Sequence, residues 1–278
     1  NLFKGWYDNL PLELWMLYAY PPFGFERPSS RLIYLRTMLG AIEMLRSGAT
    51  TIQDDFWEQP CPTMEGRNAV IKAYTDLGLR ANVSVYEMHH HFCDNMPYLR
   101  QIVPQEVQKM FDEPEPADRV YARVEEMIQE WNGKDDVKMV VSISAPQRCD
   151  DAFSQHMFHI AEKYDVPYHI HICETRAQRI TGREFYGSTI AQHSSDIGIL
   201  SPRTTIAHCI WVDDKDIAVY KEKGVNIVHN PVSNLKLCSG IMPYYKLADA
   251  GINICLGTDG MSTNDSNNIL EVMKTAAL

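Results

Sequence analysis

The sequence is poor in basic residues: 26 Lys and Arg stand against 36 Asp and Glu, and the formal net charge is −10. The Lys and Arg form no cluster, which excludes the basic stripe of a nucleic-acid-binding surface. An apolar stretch approaching the roughly 18 residues of a membrane span is also absent, and no signal peptide is visible. We therefore expect neither nucleic acid nor a membrane as a partner.

Cysteine occurs seven times, an odd number, at scattered positions and never as Cys-x-x-Cys. Because no Cys-x-x-Cys pair occurs, a zinc site built from such cysteine pairs is excluded. Scattered cysteines in apolar segments indicate reduced thiols rather than a disulfide framework. We accordingly expect a cytoplasmic protein.

Low-complexity tracts, internal repeats and interdomain linkers are missing as well. With 278 residues, 45% of them hydrophobic, the chain can bury the core of one α/β barrel or of two smaller domains. Because no linker divides it, we expect a single domain over residues 1–278.

What the sequence does contain is a regular alternation of β-rich segments and helical patterns. The β-rich segments cover residues 50–55, 80–87, 137–144, 167–174, 204–209, 225–230 and 252–259. Helical patterns between them include residues 31–46, 103–131, 151–163, 213–223 and 243–250. Alternating strands and helices predict a parallel sheet, and short, apolar strands favour an α/β (β/α)₈ TIM barrel that is incomplete by one unit. A doubly wound sheet is the alternative, but the chain has no Gly-x-Gly-x-x-Gly motif.

Two segments do not fit this alternation. The aromatic opening segment, residues 6–20, and the long helix expected over residues 103–131 are both interpreted as insertions on the barrel.

Metal-binding and acid–base groups stand at the ends of three β segments. His171 and Glu174 lie in His-Ile-Cys-Glu, His208 ends Thr-Ile-Ala-His, and Asp259 lies in Gly-Thr-Asp-Gly. Barrel active sites lie at the C-terminal ends of the strands. These residues therefore predict a metal site, with Glu174 placed to act as general base and then general acid beside a metal-bound water.

Each of these residues also has a purely structural interpretation. His169 and His171 point to the same face of their strand, and a single histidine there is ordinarily a hydrogen-bonded core residue. His208 either ligates the metal or hydrogen-bonds and polarises the water. Asp259 ends a run expected to be buried, where a carboxylate must be paired or metal-bound, and the alternative is a turn-forming Asp before Gly.

Two more histidine motifs follow strands. His229 closes the sixth segment and is expected at the rim of the barrel. The triple histidine run contains a His-x-His pair, His89 and His91, which we expect to be a solvated or substrate-contacting loop rather than a metal site. Asn234 and Lys236 either cap a loop or touch substrate, and the sequence does not separate the two.

Together the strand-end motifs resemble the amidohydrolase superfamily. The matching motifs are His171-x-x-Glu174, Thr-Ile-Ala-His208-Cys, Val-His229-Asn-Pro-x-Ser-Asn-x-Lys236-Leu and Gly-Thr-Asp259-Gly. The clade that looks most similar contains the deaminases of S-adenosylhomocysteine and methylthioadenosine, with relatives acting on guanine, cytosine and chlorotriazines.

The resemblance implies a role for each matched residue. His171 and Asp259 would bind one divalent metal ion, with Zn²⁺ as the expected ion and Fe²⁺ as the alternative. Glu174 would shuttle protons, His208 would orient the attacking water, and Asp259 would accept the proton of that water.

The implied reaction is hydrolytic deamination of a small N-heterocycle such as a purine, pyrimidine, pterin or triazine. Water would add to an amidine-like ring carbon, and ammonia would leave. A homo-oligomer remains an open possibility.

The chain departs from the family pattern at both ends. The family's first strand ends in His-x-His, which supplies two more metal ligands, and the last helix and a small β-sandwich complete such enzymes. None of these is present, so we expect a fragment of a longer protein, with His-x-His about ten residues before Asn1.

A further departure lies in Ser-Ile-Ser144-Ala-Pro-Gln147-Arg148. Adenosine-type relatives place a substrate-contacting His where this chain has Ser144. Gln147 or Arg148 is the expected substitute contact, and with Ser144 and His229 they form the candidate substrate-binding set.

Two alternative functions remain. One is hydrolytic removal of chloride or an alkylamine from a triazine-like ring, but the retained Glu174 favours deamination. The other is a non-catalytic barrel used for binding, against which both Glu174 and Asp259 argue. The His-x-Glu and Pro-Cys-x-x-Cys elements of nucleic-acid deaminases do not occur.

Overall fold

The computed structural model describes residues 3–8, 10–19, 27–58 and 61–278, and its strands form one parallel sheet in sequence order. The strands are β1 (Thr51–Asp54), β2 (Arg80–Glu87), β3 (Val137–Ile143), β4 (Tyr168–Ile172), β5 (Thr204–His208), β6 (Asn226–His229) and β7 (Asn253–Leu256). All seven predicted β segments are confirmed. The sheet is a curled half-barrel, which agrees with the predicted incomplete TIM barrel.

Helices connect the strands. Before β2 they are α1 (Leu12–Ala19), α2 (Ser30–Arg46) and α3 (Met64–Asp76). Between β2 and β5 they are α4 (Leu99–Ile102), α5 (Gln105–Gln108), α6 (Ala117–Trp131), α7 (Asp151–Lys163), α8 (Arg176–Tyr186) and α9 (Ile190–Asp196). After β5 they are α10 (Asp214–Lys223), α11 (Pro231–Lys236), α12 (Tyr244–Asp249), α13 (Met261–Asn264) and α14 (Ile269–Ala276). Two 3₁₀ turns, Phe92–Asp94 and Pro146–Arg148, follow β2 and β3.

Local sequence explains where the helices beside the site begin. Thr175 precedes α8 and accepts a hydrogen bond from the backbone N–H of Gln178 at 3.3 Å. Asp213 and Asp216 form a reciprocal capping box at the start of α10. These caps satisfy amide groups that have no partner within the helix, and they fix where the chain turns after β4 and β5.

The single long helix predicted over residues 103–131 is wrong. The structure has short helices α4 and α5, an irregular segment, and then α6. Pro104 and Pro116 occupy the N-cap positions of α5 and α6. Because proline has no N–H and disfavours helix at the residue before it, the apolar periodicity cannot run through as one helix.

The main core lies between the sheet and the helices around it. Val83, Val141, Ile170, Ile206 and Ile227, one from each of β2 to β6, are wholly buried in it. The edge strands β1 and β7 differ, because exposed and half-buried residues alternate along both. The strands whose side chains are most completely buried, β2 to β6, are therefore the ones that carry most of the candidate site.

The opening segment adds a second, smaller core. Leu12, Trp15, Met16 and Ala19 of α1 pack with Leu237. The prediction that this aromatic segment lies outside the strand–helix alternation agrees with its position before β1, although Tyr20 at its end lies outside the described residues. Within the part of the chain that is described, no helix has the length and apolar character needed to cross a membrane.

Candidate active site

The C-terminal ends of the parallel strands meet at one rim, and four predicted residues lie there. His171 is in β4, Glu174 follows β4, His208 ends β5, and Asp259 follows β7 by three residues. Cys173, His208 and Asp259 have positive φ angles of 55°, 76° and 58°. Such backbone conformations are uncommon outside glycine and mark sharp turns of the chain at these strand ends.

His171 is held as a neutral ring with one nitrogen free. Its Nδ1 donates to the backbone oxygen of Ser144 at 2.8 Å, so the lone pair is on Nε2. Burial lowers the pKa of His171 to about 4, against the opposing effect of the Asp55 carboxylate. Near pH 7 the 3.9 Å contact between Nε2 and Asp55 Oδ2 is therefore no ion pair, and it is too long for a hydrogen bond.

His169 and Asp55 join His171 in one compact group. One ligand atom from each of these three residues lies within 4.8 Å of the ligand atoms of the other two. In the described part of the chain, this is the group of side chains close enough together to hold a metal ion. Two imidazoles and a carboxylate are donors that suit zinc and similar divalent ions. The residues present thus fit a metal ion.

The two histidines of this group differ in their second contacts. The Gln53 amide donates to Nδ1 of His169 at 3.4 Å, which leaves the proton of His169 on Nε2, 3.9 Å from Asp55 Oδ2. Burial also lowers the pKa of His169. With this amide orientation the proton of His169 faces Asp55 from a distance too long for a hydrogen bond, whereas the free Nε2 of His171 fits a metal ligand.

Glu174 and His208 lie side by side at this rim. Glu174 is only 4% exposed, and burial raises the pKa of its carboxyl, although the nearby His208 opposes the shift. Its Oε2 lies 3.7 Å from Nε2 of His208. On the other side of that ring, Nδ1 is 2.8 Å from Oδ1 of Asn234, which fixes the ring plane. The His208 ring also stacks with that of His171 at 5.5 Å.

Asp259 follows β7, at one edge of the described sheet. Ser233 donates to its Oδ2 at 2.5 Å and the Gly260 amide to its Oδ1 at 2.6 Å. The expectation that Asp259 ends a buried run is wrong, because the residue is exposed and β7 is an edge strand of the described sheet. Its carboxylate nevertheless acts on the pKa values of His171 and Glu174, so it belongs to the same electrostatic site.

Ser144 and Arg148 connect the rim to an adjacent cavity. The hydroxyl of Ser144 receives hydrogen bonds from Tyr86 at 2.6 Å and from Arg148 Nη1 at 2.7 Å. Gln147 and Arg148 lie in the 3₁₀ turn after β3 and line the cavity together with Glu13. Glu13 in turn accepts a hydrogen bond from Thr175 at 2.5 Å.

His229 ends β6 at the same rim but is turned toward α12. Its ring is 6.4 Å from that of Tyr244, and its buried Nδ1 has no hydrogen-bond partner among the described residues. Burial lowers the pKa of His229 to about 4. The ring is thus neutral and carries an unused polar atom.

The triple histidine run lies in a loop, as expected, but it is not solvated, because His89 and His90 are half-buried and His91 is buried. His89 and His90 both contact Asp150, at 3.3 and 3.0 Å. His91 caps the 3₁₀ turn after β2 through its Nδ1. Lys236, left open by the sequence, forms ion pairs with Asp8 and Asp265.

The sequence did not identify Asp55 as a site residue. It directly follows β1 and accepts a hydrogen bond from Ser84 at 2.5 Å. Its position at the end of the first β segment was the available signal, but no histidine accompanies it there. Asn234 was recognised only as a capping or substrate residue, since its bond to His208 joins residues 26 positions apart in the sequence.

The chain is similar to known proteins over nearly its whole length. The family model described as "Amidohydrolase family" matches residues 3–278. A 5′-deoxyadenosine deaminase of Methanosarcina mazei is 32% identical over 280 residues, which cover 100% of this chain and 58% of that protein. A 5-methylthioadenosine/S-adenosylhomocysteine deaminase of Caldanaerobacter subterraneus is 32% identical with the same coverage.

A solved structure is similar over the same extent. An adenosine deaminase from Xanthomonas campestris with bound zinc superposes with a TM-score of 0.83 at 25% identity, covering 99% of this chain and 57% of the other. The predicted fold class is confirmed by this likeness. The chain spans 58% of the length of the two curated relatives described above.

Proposed function

Because this chain belongs to the amidohydrolase family, we propose that it carries the barrel of a metal-dependent hydrolytic deaminase. The substrate is an amino-substituted N-heterocycle such as a purine, pyrimidine, pterin or triazine, and the product is ammonia. The observation that carries the proposal is the buried Glu174 carboxyl, 3.7 Å from His208 and beside the Asp55, His169 and His171 group. The names of the curated relatives, all deaminases of adenosine derivatives, support the same chemistry.

The proposed metal residues are His171, through its free Nε2, and Asp259. Zn²⁺ is the proposed ion, with Fe²⁺ as the alternative, and Asp55 and His169 add a carboxylate and an imidazole beside His171. When bound, such an ion supplies a water whose pKa is lowered to about 7. Residues 1–278 are proposed to form a single barrel domain.

Proton transfer is assigned to residues that the fold already holds in place. Asp259, fixed by Ser233 and Gly260, accepts the proton of the attacking water. His208, fixed by Asn234, orients that water through Nε2. Glu174, whose pKa burial raises, delivers a proton to the ring nitrogen or the departing amine. Water thus adds to the ring carbon, the C–N bond breaks, and ammonia leaves with the transferred protons.

The free cysteines support a cytoplasmic location. All seven are unpaired, and Cys93, Cys149, Cys173 and Cys209 are buried. Buried reduced thiols are typical of proteins from reducing compartments.

An ammonia-release screen tests the proposal. The native-length protein, loaded with zinc, is offered 5′-deoxyadenosine, aminopurines, aminopyrimidines, pterins and aminotriazines, and ammonia is measured with a coupled assay. We expect release from at least one class. Bound metal without ammonia from any of them would refute the deaminase function.

A further inference from the structure

Glu174 and His208 are joined by a closed ring of contacts that passes through the segment after α11. Oε2 of Glu174 lies 3.7 Å from Nε2 of His208, and Nδ1 of His208 is 2.8 Å from Oδ1 of Asn234. The backbone oxygen of Asn234 accepts a hydrogen bond from the amide of Ser239 at 2.8 Å, and Ser239 Oγ lies 3.5 Å from Oε1 of Glu174. Ser239 is the member of this ring to which the proposed function gives no role.

The hydroxyl of Ser239 is buried against the carboxyl of Glu174. Ser239 is 3% exposed and Glu174 is 4% exposed. Buried polar groups are nearly always hydrogen-bonded, and a carboxyl oxygen without a proton can only accept. The hydroxyl therefore donates to Oε1, and the separation of 3.5 Å is at the long end of hydrogen-bond distances. Hydrogen bonds between catalytic groups are often long before substrate binds, and they tighten in the reacting complex.

The turn that carries Ser239 is fastened to the segment after β5. Trp211 Nε1 donates to the backbone oxygen of Ser239 at 2.7 Å. Gly240 has a φ of 128°, and a Cβ at this position would lie 2.9 Å from Ile210 Cγ2. Ile210 and Trp211 follow closely after His208 in the sequence. These contacts therefore relate the Ser239 hydroxyl directly to the strand end that carries His208.

The backbone of Glu174 is held by a separate contact. Gln178 of α8 accepts a hydrogen bond from the Glu174 N–H at 2.8 Å. The freedom that remains is rotation about the side-chain bonds of Glu174, and restricting that rotation costs conformational entropy. A hydroxyl that donates to Oε1, with the His208 ring beside Oε2, favours one of the available rotamers. The carboxyl is thereby placed before substrate arrives, and proton transfer depends on such placement.

We infer, on the basis of the proposed deaminase function, that Ser239 is a positioning residue of the reaction. Its hydroxyl engages Oε1 of Glu174, so that Oε2 is the oxygen that carries the transferred proton and is held beside His208. Ser239 acts through Glu174 and does not itself touch substrate. Its loss should therefore lower kcat and leave KM unchanged, because the contact serves the transition state rather than substrate binding.

The infrared band of the Glu174 carboxyl tests the contact without any turnover. The zinc-loaded protein is isotope-labelled at its glutamate carboxyl groups, and its spectrum is compared with that of the same protein carrying Glu174→Gln, so that the difference isolates the Glu174 band. The same difference is recorded in the background of each Ser239 variant. We expect Ser239→Ala, which removes the donor and adds no bulk, to shift the Glu174 band.

A matched pair of variants separates the hydroxyl from packing. Ser239→Thr keeps the hydroxyl and Ser239→Val replaces it with a methyl group at the same shape, so Thr should retain the band position and kcat of the original protein, whereas Val should not. On a heterocycle that releases ammonia, Ser239→Ala should lower kcat about tenfold with KM unchanged. Ser194→Ala is the control: Ser194 is buried in α9, and its hydroxyl binds the backbone oxygen of Ile190 at 2.7 Å, so neither the band nor kcat should change.

The inference and the proposed function fail separately. An unchanged Glu174 band in Ser239→Ala overturns the inference even if ammonia is released, and so does equal behaviour of the Thr and Val variants. A shifted band with unchanged kcat, or a change confined to KM, overturns the positioning role as well. A band that shifts in Ser239→Ala and Ser239→Val but not in Ser239→Thr, without ammonia release from any heterocycle, supports the positioning of Glu174 and refutes the deaminase function.

Discussion

Two buried glutamates show how the surroundings of a single residue decide its role. Glu174 lies at the rim beside His208 and has no arginine partner among the described residues. Glu87 ends β2 but faces α6, where Arg123 donates to its Oε1 at 3.0 Å and also binds Glu115. Glu174 is therefore available for proton transfer, whereas Glu87 belongs to the packing between the sheet and α6.

Glu87 should make stability depend on pH. Burial raises its pKa to about 7, although the Arg123 guanidinium opposes the shift. The folded state thus binds more protons than the unfolded state between about pH 4.5 and pH 7. The contribution of Glu87 to the free energy of unfolding is fully present below this window and falls as pH rises through it, by at most about 3 kcal/mol.

Glu87→Gln removes this titration while keeping the side chain's shape. We expect the stability of the variant relative to the original protein to increase from pH 5 to pH 8, measured by urea unfolding at both pH values. The exposed Glu106→Gln is the control for the change of residue type. Parallel pH profiles for the original protein and Glu87→Gln would contradict the assignment.

The site residues that the sequence predicted share one property. His171, Glu174 and His208 each lie where an apolar run ends, and period-two alternation with strand polarity places such residues at one rim. Asp55 and Asn234 escaped prediction because their roles depend on contacts across strands and with α11, which no local pattern encodes. The exposure of Asp259 likewise depends on what pairs with β7 rather than on its own sequence.

At the scale of elements, the strands were predictable and the insertions were not. Short apolar segments between turn residues are typical of strands buried on both faces, and their length distinguishes them from buried helices. The segment between β2 and β3 has helical periodicity on both sides of its prolines, and periodicity alone does not reveal the breaks at Pro104 and Pro116.

The approach of β7 to β6 depends on one glycine. A Cβ on Gly257 would lie 2.3 Å from Asn230 Oδ1 and 2.7 Å from Val228 Cγ1, so these side chains or the backbone at Gly257 would have to shift. Gly257 is two residues before Asp259, so we expect such a shift to displace Asp259.

Gly257→Ala should consequently lower both stability and metal affinity. Overpacking of this kind costs about 1–3 kcal/mol, measurable by denaturant unfolding, and displacement of Asp259 should weaken zinc binding in a chelator competition. Gly260→Ala is the matched control, since its Cβ would have no contact closer than 3.8 Å. Equal behaviour of the two variants would argue against a fixed position for Asp259.

At the scale of the whole molecule, sequential strand order produces the site. Because β1 to β7 are parallel neighbours in chain order, residues more than 200 positions apart, such as Asp55 and Asp259, end at the same rim. The sheet is open in the described residues, with β1 and β7 as its edges. Glu174, just after β4, and His208, at the end of β5, lie in the well-packed middle of the sheet.

The central claim is that Glu174 transfers protons beside a bound metal ion without being a ligand of that ion. The direct measurement determines two quantities on the same preparation: the metal content per chain and the rate of ammonia release. It is made on the original protein, on its Glu174→Gln variant and, as a control, on a variant with the exposed substitution Glu222→Gln. We predict that Glu174→Gln retains its metal and loses turnover by about 10²- to 10⁴-fold. Loss of the metal along with turnover, or turnover that persists, would contradict the account.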